Sequence, residues 1–237
     1  KQLTTLDKNI YAIEIEGTFD DCQKLVKKAF SDKNIKNKIN ISSANSINIA
    51  RLIPQSFYYV HSYMQLKDKN KENVFSVPSG NFGNITAGLL SKRMGLPIDK
   101  FIAATNTNDV IPQFFKNNKY NPKPSVATIS NAMDVGNPSN MVRIMDIYKE
   151  LDSLKNDMES WSFSDNETKD CIIKTFNLNH YLLDPHSSIG LLGIQKYLKE
   201  SKSDCNGVFL GTAHPSKFSD ILESVINKKV ELPQPLS

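Results

Sequence analysis

The spacing of apolar positions changes several times along the chain, and each change marks an element. Tyr11-Ala-Ile-Glu-Ile-Glu-Gly17 alternates apolar and polar side chains, the period of a half-buried strand. Thr18 is placed to cap a following helix, with Asp21 in its first turn and Leu25, Val26 and Phe30 as its apolar stripe. A second β-like run lies at residues 39–41. A long helical pattern then covers residues 46–66, with Ile49, Leu52, Ile53, Phe57 and Val60 at helical spacing and Pro54 inside it to kink or delay it. Beyond this the chain settles into a strand–loop–helix rhythm. Residues 74–77 and 101–104 are short buried strands, each leading through a polar turn into a helix, at 85–94 and 109–116. Residues 117–124 are a loop, and 138–151 and 164–176 are helical. Residues 186–198 form another helix, 208–210 a strand and 215–226 the last helix. Alternating β and α units predict an α/β fold: a mostly parallel sheet with helices on both faces. No internal repeat and no low-complexity tract interrupts it.

Composition narrows the classes without choosing among them. The 237 residues are 39% hydrophobic and 23% charged, enough to bury a core. No apolar run approaches the length of a membrane span, and Lys1-Gln-Leu-Thr-Thr5 lacks the apolar centre of a signal peptide. A net charge of +4 with scattered lysines describes a solvated surface, not a nucleic-acid stripe. Cys22, Cys171 and Cys205 stand far apart, with neither disulfide nor zinc spacing, so a reducing, cytoplasmic setting is expected and no metal. The chain opens on Lys1, not Met, and is expected to be the remainder of a longer protein.

Candidate chemistry gathers where strands give way to helices. In Val77-Pro-Ser-Gly-Asn-Phe-Gly-Asn-Ile-Thr-Ala-Gly88, glycines permit close approach of a ligand, and free N–H groups at the helix start favour an anion. The pattern is neither the dinucleotide GxGxxG nor a Walker A loop, and an ordinary βα turn is the plainer alternative. Leu210-Gly-Thr-Ala-His-Pro215 is a second strand end, whose Thr212 either meets a ring nitrogen at the same rim or caps the last helix. His214 is expected to be structural. In Asn45-Ser-Ile-Asn-Ile-Ala-Arg51, Ser46 and Asn48 suit helix caps and Arg51 suits an anionic substrate. Asn106-Thr-Asn-Asp109 and Ser130-Asn-Ala-Met-Asp134 are further polar loops, and Asp184-Pro-His186 opens a helix. No Ser/His/Asp or Cys/His triad emerges.

Taken in order, these segments resemble the threonine synthase family of fold type II pyridoxal-phosphate enzymes. The similarity runs through Glu16-Gly-Thr-Phe-Asp-Asp-Cys-Gln23, Asn45-Ser-Ile-Asn48, Ser79-Gly-Asn-Phe-Gly-Asn84, Ala104-Thr-Asn-Thr-Asn-Asp109, Thr128-Ile-Ser-Asn-Ala-Met-Asp134, Asp184-Pro-His186 and Gly211-Thr-Ala-His-Pro215. The resemblance implies pyridoxal 5′-phosphate as cofactor, with Gly80, Asn81, Phe82, Gly83 and Asn84 cradling its phosphate and Thr212 facing its pyridine nitrogen. It implies Ser46, Asn48 and Arg51 as weaker substrate contacts. The implied reaction converts O-phospho-L-homoserine and water to L-threonine and phosphate.

One departure accompanies the resemblance. The family's Schiff-base lysine motif, and the substrate loop after it, do not occur in this sequence. The resemblance therefore implies a carboxyl-terminal portion with a fold incomplete at its N-terminus and no catalytic residue of its own. That portion would be inactive alone and completed by the missing N-terminal segment of the same enzyme. Residues 1–45 would finish a smaller domain and 46–237 would form the larger, phosphate-binding one. Two other readings stay open on the sequence: a non-catalytic relative that holds a phosphate ligand, and another fold type II enzyme of β-replacement chemistry.

Overall fold

The computed structural model describes residues 9–45, 48–201 and 204–233. The chain divides between Ser42 and Ser43 into two compact units. In the first, α1 (Phe19–Ser31) starts at Thr18, where the hydroxyl accepts from the Asp21 amide and the Asp21 carboxylate accepts from the Thr18 amide. This reciprocal capping box satisfies two of the amides that every helix start leaves open. Asp32 caps the short α2 (Lys33–Lys36) in one direction only, its carboxylate accepting from the Asn34 and Ile35 amides. The alternating segment before α1 is not a strand, nor are residues 39–41, because no strand among the described residues pairs with either. Leu25 is exposed, so the expected stripe of α1 is only half buried.

The second unit is built on a sheet. A 3-10 turn (Ile49–Arg51) leads into α3 (Leu52–Met64), and β1 (Glu72–Pro78), α4 (Gly83–Arg93), β2 (Lys100–Thr105) and α5 (Val110–Asn117) follow. Pro54 falls in the first turn of α3, where a missing N–H removes no intrahelical bond, so the proline marks the start of the helix. Next come α6 (Met141–Tyr148), α7 (Leu151–Asp157), β3 (Met158–Ser162), α8 (Asp165–Asn179), α9 (Pro185–Ser201), β4 (Cys205–Phe209) and, after the 3-10 turn Pro215–Phe218, α10 (Ser219–Ile226). The single helix expected over 138–151 is two, broken where Lys149 takes φ 63°, and β3 is an element the sequence pattern does not reveal.

The strands lie in the order β3-β2-β1-β4 and every pairing is parallel. Alternate residues of the inner strands face opposite layers. Phe75, Val77, Phe101 and Ala103 pack with α3, α4, α5, α6 and α7, while Val74 and Ile102 meet Ile194 and Tyr197 of α9. Because β1 and β2 are buried on both faces, they read as continuous apolar runs. Glycines let helices come close: a Cβ at Gly193 of α9 would lie 2.4 Å from the Ser76 hydroxyl on β1. Among the described residues, no helix is long and apolar enough to cross a membrane.

Candidate functional site

Strand order fixes where a ligand would sit. From β1 the chain moves outward through β2 to β3, then returns to place β4 on the other side of β1. The connection after β1 runs into α4 on one face of the sheet, and the connection after β4 runs to α10, which packs on α8 at the other. Neighbouring loops that diverge in this way leave a crevice at the carboxyl ends of the strands, the usual ligand position in parallel α/β sheets. Both loops singled out in the sequence, residues 79–84 and 210–214, open onto it.

The first loop is shaped to present backbone amides. Ser79 ends the β1 ladder by donating its amide to Ala104 O at 2.8 Å. Phe82 adopts a left-handed conformation (φ 60°, ψ 13°) unusual for a bulky side chain, and its ring is buried in the core below. It occupies the N-cap of α4 without a side-chain cap, and the first intrahelical bond runs from the Thr86 amide to Phe82 O. Among the described residues, no acceptor is hydrogen-bonded to the amides of Gly83, Asn84 or Ile85. Strain of ~1–3 kcal/mol held at Phe82 thus maintains a row of open donors at the positive end of a helix dipole. The phosphate of pyridoxal phosphate fits this donor set, since such an anion needs oriented amides, not a basic side chain.

Side chains of the loop point into the protein and brace it. Asn81 Oδ1 accepts from the amide and hydroxyl of Ser139 at 2.7 and 2.9 Å, and Asn81 O accepts from Asn140 Nδ2 at 2.9 Å. Asn84 accepts from the Tyr59 hydroxyl through both its side-chain oxygen (2.9 Å) and its carbonyl (3.0 Å). Burial pushes the Tyr59 phenol well above its ordinary pKa, so it stays a donor. A Cβ on Gly80 would lie 2.7 Å from Met133 Cα and 2.9 Å from Ala132 O, so the loop rests directly on the backbone of residues 132–133. Tyr59, Ser139 and Asn140 were not singled out in the sequence. Only the turn composition of Asn137-Pro-Ser-Asn140 hints at the latter two.

On the facing loop, Thr212 is exposed, and its hydroxyl has no hydrogen bond to a described residue. It does not cap the final helical segment. That position belongs to His214, whose Nδ1 accepts from the Ser216 amide at 3.2 Å. Gly190 of α9 draws the two walls together, because a Cβ there would touch Pro78 at 3.2 Å and Leu210 O at 3.6 Å. Asn48 caps the 3-10 turn through Ala50, and Arg51 bonds the carbonyl of Ala44. No hydrogen bond or ion pair among the described residues joins either of them to residues 79–84, and Ser46 lies outside those residues.

Beneath the crevice, the loops after β2 form a closed polar network. Asn106 Nδ2 donates to Thr128 Oγ1 and to Asp134 Oδ1, each at 2.8 Å, while Asn108 shares Asp134 and bonds Val126. Asp109 closes this side by pairing with Lys123. Burial raises its pKa, but Lys123 and Gln113 outweigh that and hold it below the carboxylate range. Satisfied buried networks of this kind fix loops rigidly.

Known proteins similar in sequence and architecture point to one family. The sequence profile of the family described as pyridoxal-phosphate dependent enzyme matches residues 1–211. The threonine synthase of Buchnera aphidicola subsp. Schizaphis graminum is 47% identical over 233 residues, covering 98% of this chain and 53% of that protein. A crystal structure of threonine synthase from Escherichia coli superposes with a TM-score of 0.89 at 40% identity, covering 98% of this chain and 54% of the other. The PLP-bound threonine synthase from Brucella melitensis gives 0.82 at 34%, covering 96% and 54%. The chain spans about half the length of the curated relatives it matches. With a parallel sheet, an amide-lined loop at its switch point and a family profile over most of its length, the chain belongs to the pyridoxal-phosphate-dependent enzymes, in their fold type II class.

Proposed function

We propose that this chain is part of a threonine synthase, which converts O-phospho-L-homoserine and water into L-threonine and phosphate in the cytoplasm. The observation that carries the reading is the glycine loop at the switch point of the sheet, where the amides of Gly83, Asn84 and Ile85 have no acceptor among the described residues. In this reading the backbone N–H groups of Gly80, Asn81, Phe82, Gly83 and Asn84 bind the cofactor phosphate, with Asn81 and Asn84 anchored by their side chains to Ser139 and Tyr59. Bound pyridoxal phosphate supplies the electron sink for chemistry next to the substrate's amino group. With the cofactor bound, the Thr212 hydroxyl would face its ring nitrogen and, being no acid, would leave that nitrogen unprotonated, which would suit elimination and replacement at the substrate's β and γ carbons. Arg51 keeps further guanidinium donors for the substrate's phosphate, and Ser46 and Asn48 are weaker contacts to the same substrate.

Residues 1–45 complete a smaller domain and residues 46–237 form the larger one, while the cofactor's lysine belongs to a part of the enzyme outside these 237 residues. The test is to supply the full-length protein with pyridoxal phosphate and O-phospho-L-homoserine. The expected result is stoichiometric release of threonine and phosphate. Release of phosphate without threonine, or turnover only of serine derivatives, would assign a different replacement reaction.

A further inference from the structure

The wall behind the glycine loop is held by a buried pair that the reaction does not use. Residues 132–133, on which Gly80 rests, are held by the packing of Met133 with Ala104, Phe163 and Ile189 and by a long-range hydrogen bond, in which the Ala132 amide donates to Nε2 of His186 at 3.3 Å. His186 lies in the first turn of α9 and is 4% exposed. Its Nδ1 is 3.0 Å from Oδ1 of Asp184, which is 1% exposed. Because Nε2 accepts from an amide, the ring proton sits on Nδ1 and is donated to Asp184.

The carboxylate is equipped to hold the ring in that tautomer. Oδ1 also accepts from the amides of His186 (2.9 Å) and Ser187 (3.3 Å), and Oδ2 accepts from the Ser187 hydroxyl. Burial acts to raise the pKa of Asp184, yet the bonds from His186 and Ser187 prevail and hold it below the usual value, so it is ionised. The ring's orientation is further set by Phe218, 4.9 Å away between centroids, from the turn that follows Thr212.

We infer that His186, oriented by Asp184, is a positioning residue for the cofactor's phosphate: it fixes the Ala132 amide and through it the backbone against which Gly80 and the rest of the glycine loop are set. The inference rests on the reading of residues 80–84 as a phosphate loop. It assigns no proton transfer to His186, which reaches the ligand only through two layers of backbone. Removing the acceptor strands the Ala132 N–H in a part-buried position, and the loop relaxes to satisfy it.

The experiment titrates the full-length protein with pyridoxal phosphate and, separately, with pyridoxal, which lacks the phosphate. Wild-type protein should prefer the ester strongly. His186→Ala should weaken the ester about tenfold, the usual scale for one lost hydrogen bond, and leave pyridoxal affinity within about twofold. His186→Gln, whose side-chain oxygen can occupy the Nε2 position, should recover most of the ester preference. Asp184→Ala should lose it, because nothing then holds the ring or keeps its proton on Nδ1, whereas Asp184→Asn should keep most of it, because its Oδ1 still accepts from both amides and from Nδ1 while its NH2 turns to the Ser187 hydroxyl. The glutamine and asparagine variants keep the test decisive if the alanine variants do not fold. Equal losses for ester and pyridoxal, unchanged ester affinity in His186→Ala and Asp184→Ala, or a lost ester preference in both conservative variants would overturn the inference. A wild-type protein without preference for the ester would overturn the phosphate-loop reading and the inference with it.

Discussion

At the scale of single residues, the site depends on contacts that leave no room for adjustment. Gly80 is required for proximity, since a methyl group there strikes the Cα of Met133 and the carbonyl of Ala132, both backbone atoms that cannot swing aside. Gly80→Ala is expected to cost about 1–3 kcal/mol, as overpacking does, and to weaken the phosphate ester by displacing the loop. Gly211 is the control. A Cβ there meets only the Ser187 hydroxyl at 3.6 Å, an ordinary contact, so Gly211→Ala should melt and bind as wild type does. Thermal melts and cofactor titrations of the two variants check this contrast. The glycine pattern of the loop was legible in the sequence because a strand, two glycines and a helix start together describe an anion cradle. Which glycine is constrained by backbone contact was not legible, because residues 132–133 come to it from some fifty positions away.

Elements show the same division between local and distant causes. Strands β1 and β2 were readable as apolar runs because helices cover both their faces. Strand β3, Met-Glu-Ser-Trp-Ser, pairs only with β2, buries only alternate side chains and has no β-branched residue, so nothing in its sequence distinguishes it from a loop. Helix α4 illustrates how packing refines a correctly read element. Its Gly88 lies between two rings of the Tyr59–Phe75–Phe101 cluster, and a Cβ there would come within 2.6 Å of both Tyr59 and Phe101. Tyr59 also holds Asn84 by its hydroxyl, so this packing reaches the phosphate loop. Gly88→Ala is expected to destabilise the protein by about 1–3 kcal/mol and to weaken the cofactor phosphate. Tyr59→Phe keeps the ring and removes only the hydroxyl, and should cost about 1 kcal/mol. Chemical denaturation of both variants separates ring displacement from loss of the bond.

For the molecule as a whole, α3 presents the largest departure from the apolar pattern. The sequence groups Ile49, Leu52, Ile53, Phe57 and Val60 as one stripe, but Leu52, Ser56 and Tyr59 form the buried face. Ile49, Ile53, Phe57 and Val60 are between 42% and 63% exposed. Helical periodicity shows that a face is apolar without telling what covers it. An exposed apolar row of this kind favours association, so the 237 residues alone are expected to self-associate with rising concentration. Replacing Ile53 and Phe57 by Gln should return them toward monomer in sedimentation equilibrium. A chain that stays monomeric with the stripe intact would refute this expectation. The α/β class and the parallel sheet, by contrast, follow from alternating elements and were fully readable.

The central claim is that the loop of residues 79–84 and Thr212 together form the cofactor's seat. It is tested most directly by a crystal structure of the full-length protein grown with pyridoxal phosphate. The account places the phosphate oxygens within hydrogen-bond distance, about 2.7–3.2 Å, of the amides of residues 80–84, with the Thr212 hydroxyl on the ring nitrogen. A phosphate seated on any other loop, or a ring nitrogen turned away from Thr212, would contradict it.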